Sequence, residues 1–468
     1  MKTRIAIAAA MLLAAGAVPI AVGAQARPDQ AAFRDLYKEL VETNTALSNG
    51  SCTDAAAKMG ARLKAAGFKD SELTYFADPA HPKEGGLVAV LPGADPKAKA
   101  ILLLAHIDVV EAKREDWTRD PFTLIEEGGF FYGRGTFDDK AHAAIFTDML
   151  ARFRKDGTKL RRTLKLALTC GEETTYAFNG AEWLAKNKPD LIAAEFALNE
   201  GGGGRLDKDG KPELVSIQAG EKAVQNYRIE ATNPGGHSSR PRPDNAIYEL
   251  ADALEKVRAY RFPVRLNDAT RAFLTNAAKQ RGGEAGAAMT RLLANPQDAE
   301  ADAILSRDPD LYTMLRTTCV ATLLDGGHAN NALPQRAGAN INCRVIPGED
   351  YGTTEQALIA AIGDPKIKLT RVPPDRPVAP PVKLTEAVVG PAQALAKKYW
   401  PGTGFTPTML PGGTDAVYIA PIVPVYGVPG LMIDTDGNGI HGLNERIRVD
   451  VLYKGRDYLT DLVKTYAK

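Results

Sequence analysis

The side chains best suited to bind divalent cations close the apolar runs of this chain. His106-Ile107-Asp108 directly follows Ile101–Ala105, Glu172-Glu173 follows the run that ends at Thr169, and Asn199-Glu200 follows Phe196–Leu198. Gly133-Arg134-Gly135-Thr136-Phe137-Asp138-Asp139-Lys140 and the late Gly439-Ile440-His441-Gly442 add carboxylates and a second imidazole. Short apolar runs of this kind read as buried strands, and open α/β sheets put their ligands beyond the C-terminal ends of such strands. A lone His-x-Asp reads as a surface histidine paired with an aspartate. The whole set does not, because adjacent carboxylates at a strand mouth repel unless a cation compensates them. Two imidazoles with several carboxylates are the ligand chemistry of two zinc ions sharing a bridging carboxylate, about 3.5–4 Å apart.

At these residues the chain resembles the co-catalytic zinc metallopeptidase family of carboxypeptidase G, aminoacylase, carnosinase and succinyl-diaminopimelate desuccinylase. The match takes in the His-x-Asp at 106–108, the Gly-Arg-Gly-x-x-Asp-x-Lys from Gly133 to Lys140, Glu172-Glu173, Asn199-Glu200-Gly201 and the Gly-x-His-Gly-x-Asn-Glu from Gly439 to Glu445. It spans essentially the whole chain beyond the first 26 residues, although Ala141 stands where the family usually has glycine. The resemblance implies a mixed-sheet α/β zinc-hydrolase catalytic domain with an inserted α+β (ferredoxin-like) dimerisation domain. It also implies His106, Asp138 and Glu200 on one metal, with Asp138 bridging to a second held by Glu173 and His441. The spacing from Gly-Arg-Gly favours Asp138 over Asp139 as the bridge.

Asp108 is then expected to orient His106 as an outer carboxylate. Glu172 is left without a ligand role, and a carboxylate beside the attacking water can take its proton and pass it to the leaving nitrogen. The rival assignment exchanges Glu172 and Glu173. Asn233-Pro234-Gly235-Gly236-His237-Ser238-Ser239 resembles the loop that reaches into a partner subunit's active site, where His237 stabilises the oxyanion; the plainer reading is a histidine that fixes a glycine turn. Asn330 and Arg344 resemble the family's binders of a substrate carboxylate, which a guanidinium matches bidentately, against the simpler alternative of a cross-strand ion pair. Gly413 and Thr414, in Gly412-Gly413-Thr414-Asp415, resemble a glycine loop lining the substrate pocket.

These residues need a scaffold, and the patterning supplies one. Phe33, Leu36, Tyr37, Leu40 and Val41 fall at helical spacing, and the runs Leu87–Leu91, Ile101–Ala105, Leu164–Thr169 and Phe196–Leu198 alternate with helical segments such as Ala141–Phe153 and Ala181–Ala185. That is an α/β sheet covered on both faces. Beyond Gln218 the rhythm changes. Val224–Ala231, Thr317–Leu324 and Gly338–Val345 read as strands, the last with Ala339, Ile341, Cys343 and Val345 on one face and Asn340, Asn342 and Arg344 on the other. Asp244 reads as the cap of a helix with an apolar stripe of Ile247, Leu250, Ala251, Leu254 and Val257. Residues 27–219 and 379–468 are therefore expected to form the catalytic domain, with 220–378 inserted as a dimerisation lid. Extra helices are expected over 267–310, and the proline-rich Pro373–Pro381 marks the return.

The bulk properties exclude several classes. A chain of 468 residues with a formal charge of +1 and scattered basic residues presents no face for a nucleic acid. Lys2 and Arg4 precede an alanine-rich apolar stretch and Ala24-Gln25-Ala26, which reads as a signal peptide over residues 1–26, cleaved after Ala26. The expected protein is thus exported, periplasmic or secreted, with no stable membrane insertion after cleavage. Export permits disulfides among Cys52, Cys170, Cys319 and Cys343. Cys319 and Cys343 lie in strands that are candidate neighbours, whereas Cys170 is expected as a buried free thiol.

The expected function is an exported di-zinc amidohydrolase, a homodimer that cleaves an amide bond next to a free carboxylate in a small peptide, with cobalt or manganese as substitutes for zinc. An N-acyl-amino-acid deacylase is the alternative. A non-catalytic zinc-dependent binding protein is disfavoured because the base position is filled, and a phosphate-ester hydrolase because Arg344 and Asn330 suit a carboxylate.

Overall fold

The computed structural model describes residues 27–174 and 178–468, so the leader expected over 1–26 lies outside the described residues. Among them no helix is long and apolar enough to cross a membrane. The apolar runs form a ten-stranded mixed sheet. Its centre is parallel: Leu164–Thr169, Ile101–His106, Phe196–Asn199 and Val425–Gly427 lie side by side, with His106 opposite Thr169 and Leu103 opposite Leu198. These strands are buried on both faces, as continuous Leu/Ile/Ala runs require. One face carries the helices Pro28–Val41, Cys52–Ala65, Lys140–Lys155, Glu386–Tyr399 and Val449–Tyr466; the other carries Gly180–Asn187 and Ala416–Ile419. The predicted stripe Phe33, Leu36, Tyr37, Leu40 and Val41 is the buried face of its helix.

A second, antiparallel sheet orders Thr318–Gly326, Arg336–Val345, Ala223–Thr232 and Lys368–Val372. Arg336–Val345 alternates as expected, with Ala339, Ile341, Cys343 and Val345 under the helices and Asn340 and Asn342 bonded to Asn226 on the open face. The covering helix Ala246–Ala259 corrects two expectations. Asn245, not Asp244, is its cap, accepting from the Ile247 amide at 2.9 Å, while Asp244 pairs with Arg242. Its buried residues are Ala246, Leu250, Ala253 and Val257, so Ile247 and Ala251 turn outward; the sheet decides which of two neighbouring apolar stripes is covered. Helices Asp268–Arg281, Gly283–Ala294, Ala299–Leu305 and Pro309–Met314 have their own core around Leu274, Met289, Leu292 and Leu311. They are tied to the large sheet where Asn276 donates to Thr406.

Cys319 and Cys343 face each other across the second sheet and are disulfide-bonded. Cys170 is not a free thiol. It is bonded to Cys52, 118 residues earlier in the chain, because the first turn of helix Cys52–Ala65 comes to rest against the end of strand Leu164–Thr169.

Candidate metal centre and active site

The parallel register delivers the first group of candidate ligands. His106 ends its strand, Asn199 ends the neighbouring strand, and Glu200 follows directly, so their side chains meet above the same sheet edge. Asp138 arrives from the loop that precedes helix Lys140–Lys155. Its carboxylate is divided between two sets of neighbours. Oδ1 lies 3.1 Å from His106 Nε2, which is itself 3.5 Å from Glu200, while Oδ2 lies 3.1 Å from His441 Nε2, which is 3.0 Å from Glu173. His106, Asp138 and Glu200 thus form one cluster of potential ligand atoms and Asp138, Glu173 and His441 another, joined at Asp138.

Electrostatics test whether two cations fit. Burial pushes the carboxyls of Glu200 and Glu172 well above their ordinary values, and neighbouring carboxylates add to the push, opposed by His106. Hydrogen bonds to Asp138 and Glu173 raise His441 to about 10. Against burial, the bonds from His106 and His441 hold Asp138 low. Buried carboxylates in excess of cations call for positive charge, and the donors here are imidazole nitrogens and carboxylate oxygens, which suit a divalent metal pair.

Two supports fix these ligands. Glu445, fully buried, receives the backbone N–H groups of Gly135, Phe137 and Asp138 at 2.8–3.0 Å and Arg134 Nη1 at 2.8 Å. It therefore clamps the loop that presents Asp138. Arg134 also donates to the carbonyl of Gly442, one residue past His441, and His441 itself has φ +57°, a left-handed conformation rare outside glycine. Asp108 forms the second support, beside the His106 imidazole. His106 Nδ1 lies 3.1 Å from the Asp108 main-chain carbonyl and 3.6 Å from its carboxylate. The carboxylate also accepts from the backbone N–H groups of Glu172 (3.3 Å) and Glu173 (3.0 Å).

The remaining predicted residues fall in two places. His237 and Asn330 lie on one exposed pair of segments, where His237 pairs with Ala332 and Ser238 N–H donates to the Asn331 carbonyl. Ser239 donates to His237 Nδ1 through both its amide and its hydroxyl, which leaves Nε2 as the donor. Among the described residues neither His237 nor Asn330 bonds to the cluster of candidate ligands. Arg344 is half-buried on the second sheet with no ion pair among the described residues, so the cross-strand pair is not what holds it. In the glycine loop, the Thr414 hydroxyl is already engaged: it donates to Glu221 and accepts from Asn199. That leaves Gly413, whose backbone is only partly covered, as the member of the pair open to a ligand.

Sequence reasoning gave no role to Glu445 or to Asp415, which is buried and accepts from Thr169 Oγ1 (2.6 Å) and Asn179 (2.8 Å) beside the glutamate loop. Glu445 closes the quoted Gly-x-His-Gly-x-Asn-Glu motif, and Asp415 follows Thr414. Both signals were present but pointed to no partner.

The family model described as Peptidase family M20/M25/M40 matches residues 102–465. The chain is 28% identical over 388 residues to a probable carboxypeptidase S-like 2 of Dictyostelium discoideum, covering 80% of this chain and 73% of that one. It is 25% identical over 456 residues to the human N-fatty-acyl-amino acid synthase/hydrolase, covering 94% and 88%. Among solved structures, an M20 family metallo-carboxypeptidase from Sulfolobus solfataricus aligns with a TM-score of 0.66 at 19% identity, covering 94% of this chain and all of that one.

Proposed function

Because the chain belongs to peptidase family M20/M25/M40, a family of dinuclear metal-dependent hydrolases, we propose that it is an exported di-zinc amidohydrolase cleaving an amide bond next to a free carboxylate. The observation that carries this reading is the Asp138 carboxylate, with each oxygen turned to its own set of ligand side chains and Glu172 close by. When bound, a metal pair supplies Lewis acidity to the scissile carbonyl and lowers the proton affinity of the attacking water. His106, Asp138 and Glu200 would hold one metal, and Asp138, Glu173 and His441 the other.

The chain's own groups perform the remaining steps. Glu172 accepts the proton of the attacking water at a carboxylate oxygen and returns it to the amide nitrogen as the carbon–nitrogen bond breaks. Burial raises the proton affinity of Glu172, which suits it to carry that proton. His237 Nε2, arriving from the second subunit of a homodimer, donates to the developing oxyanion. Arg344 pairs with the substrate carboxylate through two parallel N–H bonds, and Asn330 adds a further donor.

A carboxypeptidase or dipeptidase is the first reading. An N-acyl-amino-acid deacylase is the second, favoured by the relative that covers 94% of this chain and acts on N-fatty-acyl amino acids by name. Dipeptides and N-acyl amino acids assayed side by side on zinc-loaded protein decide between them. The carboxyl-amide of each substrate belongs in the same panel. Activity on free acids with two zinc equivalents per chain is the expected result. Equal rates on acids and amides, or full activity with one metal or none, would overturn the reading.

A further inference from the structure

The Cys52–Cys170 disulfide sits where the catalytic glutamates leave the sheet. Strand Leu164–Thr169 ends one residue before Cys170, and Glu172 and Glu173 lie in no helix or strand. What holds them is a short set of grips. The Cys170 carbonyl accepts from Gly180 N–H at 2.7 Å, and the Gly171 carbonyl accepts from Asn179 at 3.1 Å. Gly171 has φ +92°, and a Cβ there would come within 1.8 Å of the Phe178 carbonyl oxygen, so the chain is pressed against its own return segment. The Asp108 carboxylate takes the amides of Glu172 and Glu173. Both sulfur atoms lie within 4.8 Å of an Asp108 carboxylate oxygen and of each other. The far end of the bond, Cys52, is anchored in a helix whose cap Ser51 accepts from the Asp54 amide.

We infer that the Cys52–Cys170 crosslink is a positioning element for catalysis: it fixes the Glu172–Glu173 loop against Asp108, and its reduction slackens the base and one metal ligand together. The inference rests on the reading that Glu172 and Glu173 serve the reaction. Both cysteines are buried, and a cavity of about 220 Å³ lined by Cys52, Cys170, Asp108, Gly171 and exposed Lys83 adjoins the bond on the side from which a reductant would approach. Turnover would then be tied to an oxidising compartment, and a copy retained among reducing thiols would be folded but slow. The second disulfide provides the control, because Cys319–Cys343 crosslinks the lid sheet away from the metal ligands.

The test uses Cys319→Ser/Cys343→Ser protein, in which one disulfide remains. A phosphine reduces it: water supplies the oxygen of the phosphine oxide and the two protons that complete the thiols. Two titratable thiols, a turnover number at least about tenfold lower, KM within about twofold and release of one of two zinc equivalents to a competing chelator are expected. Reoxidation with zinc resupplied should remove the two thiols and restore both turnover and the second zinc. Cys52→Ser/Cys170→Ser protein with an unchanged far-ultraviolet spectrum should match the reduced state. Reduced protein that retains both metals and full turnover would overturn the inference and leave the bond a stabilising crosslink. Failure of the underlying reading is distinguishable: Glu173→Gln protein would then keep both metals, whatever reduction does.

Discussion

At the scale of single residues, the centre depends on which carboxylate does which job. Adjacent glutamates are indistinguishable in composition, but Glu173 Oε2 lies 3.0 Å from His441 and in the cluster joined at Asp138, whereas the Glu172 carboxylate gathers only with His106 and Glu173 and makes no ion pair among the described residues. Glu172→Gln is therefore expected to bind both metals and lose at least about a hundredfold in turnover. Metal analysis alongside the rate checks it, and loss of a metal would reverse the two assignments. A second residue-scale consequence concerns Glu221, a buried carboxyl raised by burial to about 7 and held back by the Thr414 hydroxyl. A carboxyl raised in the folded state binds a proton there that the unfolded chain has released. Stability is then lost as pH rises from about 4.5 through about 7. Glu221→Gln removes that slope, so its melting temperature should gain on that of the unaltered protein across this window. Lys222, lowered to about 7 by burial, works in the opposite direction above that pH, which is why the comparison is confined to the interval below it. Parallel melting curves from pH 4.5 to 7 would contradict the assignment.

Among the elements, Thr318–Gly326 stands out. It is an edge strand, and Val320, Leu323 and Leu324 are 60–71% exposed, with Ile247 and Tyr248 of the covering helix also open. An exposed apolar edge with unpaired backbone groups is a template for another strand. In a two-fold dimer it would pair with its own copy. Leu324→Lys is expected to shift the protein from dimer to monomer in analytical ultracentrifugation. At so exposed a site its effect on monomer stability should stay within about 0.5 kcal/mol. A dimer that withstands the charge, or an unaltered protein that sediments as a monomer, rules out this edge as the interface.

On the scale of the whole molecule, His237 and Asn330 occupy an exposed edge and make no bond to the cluster of candidate ligands within one chain among the described residues. A site completed by a second subunit, as proposed above, would account for that separation, and complementation tests it. Glu172→Ala and His237→Ala homodimers should each be nearly inactive. After subunit exchange about half of the dimers should be mixed, each with one intact site of two, so about a quarter of full activity should return. If exchange is verified and no activity returns, His237 acts in its own chain or has no role in the reaction.

Much of this was legible in the amino-acid order alone. Continuous Leu/Ile/Ala runs ending in His, Glu and Asn specify buried strands with candidate ligands at their mouths, because a polar side chain that closes such a run can only lie at its end. Alternation along Arg336–Val345 fixed which face of that strand is covered, since the side-chain period of a strand is two. Tertiary structure alone decided the rest. Two apolar stripes on helix Ala246–Ala259 differ by a small rotation, and only the sheet beneath selects Ala246, Leu250, Ala253 and Val257. Asp108 lies two residues from His106 and reaches the imidazole with both its carbonyl and its carboxylate, but only the packed sheet sets that carboxylate against the amides of Glu172 and Glu173 as well. The Cys52–Cys170 bond and the Glu445 clamp join residues 118 apart in the one case and 307–311 apart in the other. No local pattern encodes such pairs; they form because the packed layers bring the two segments together.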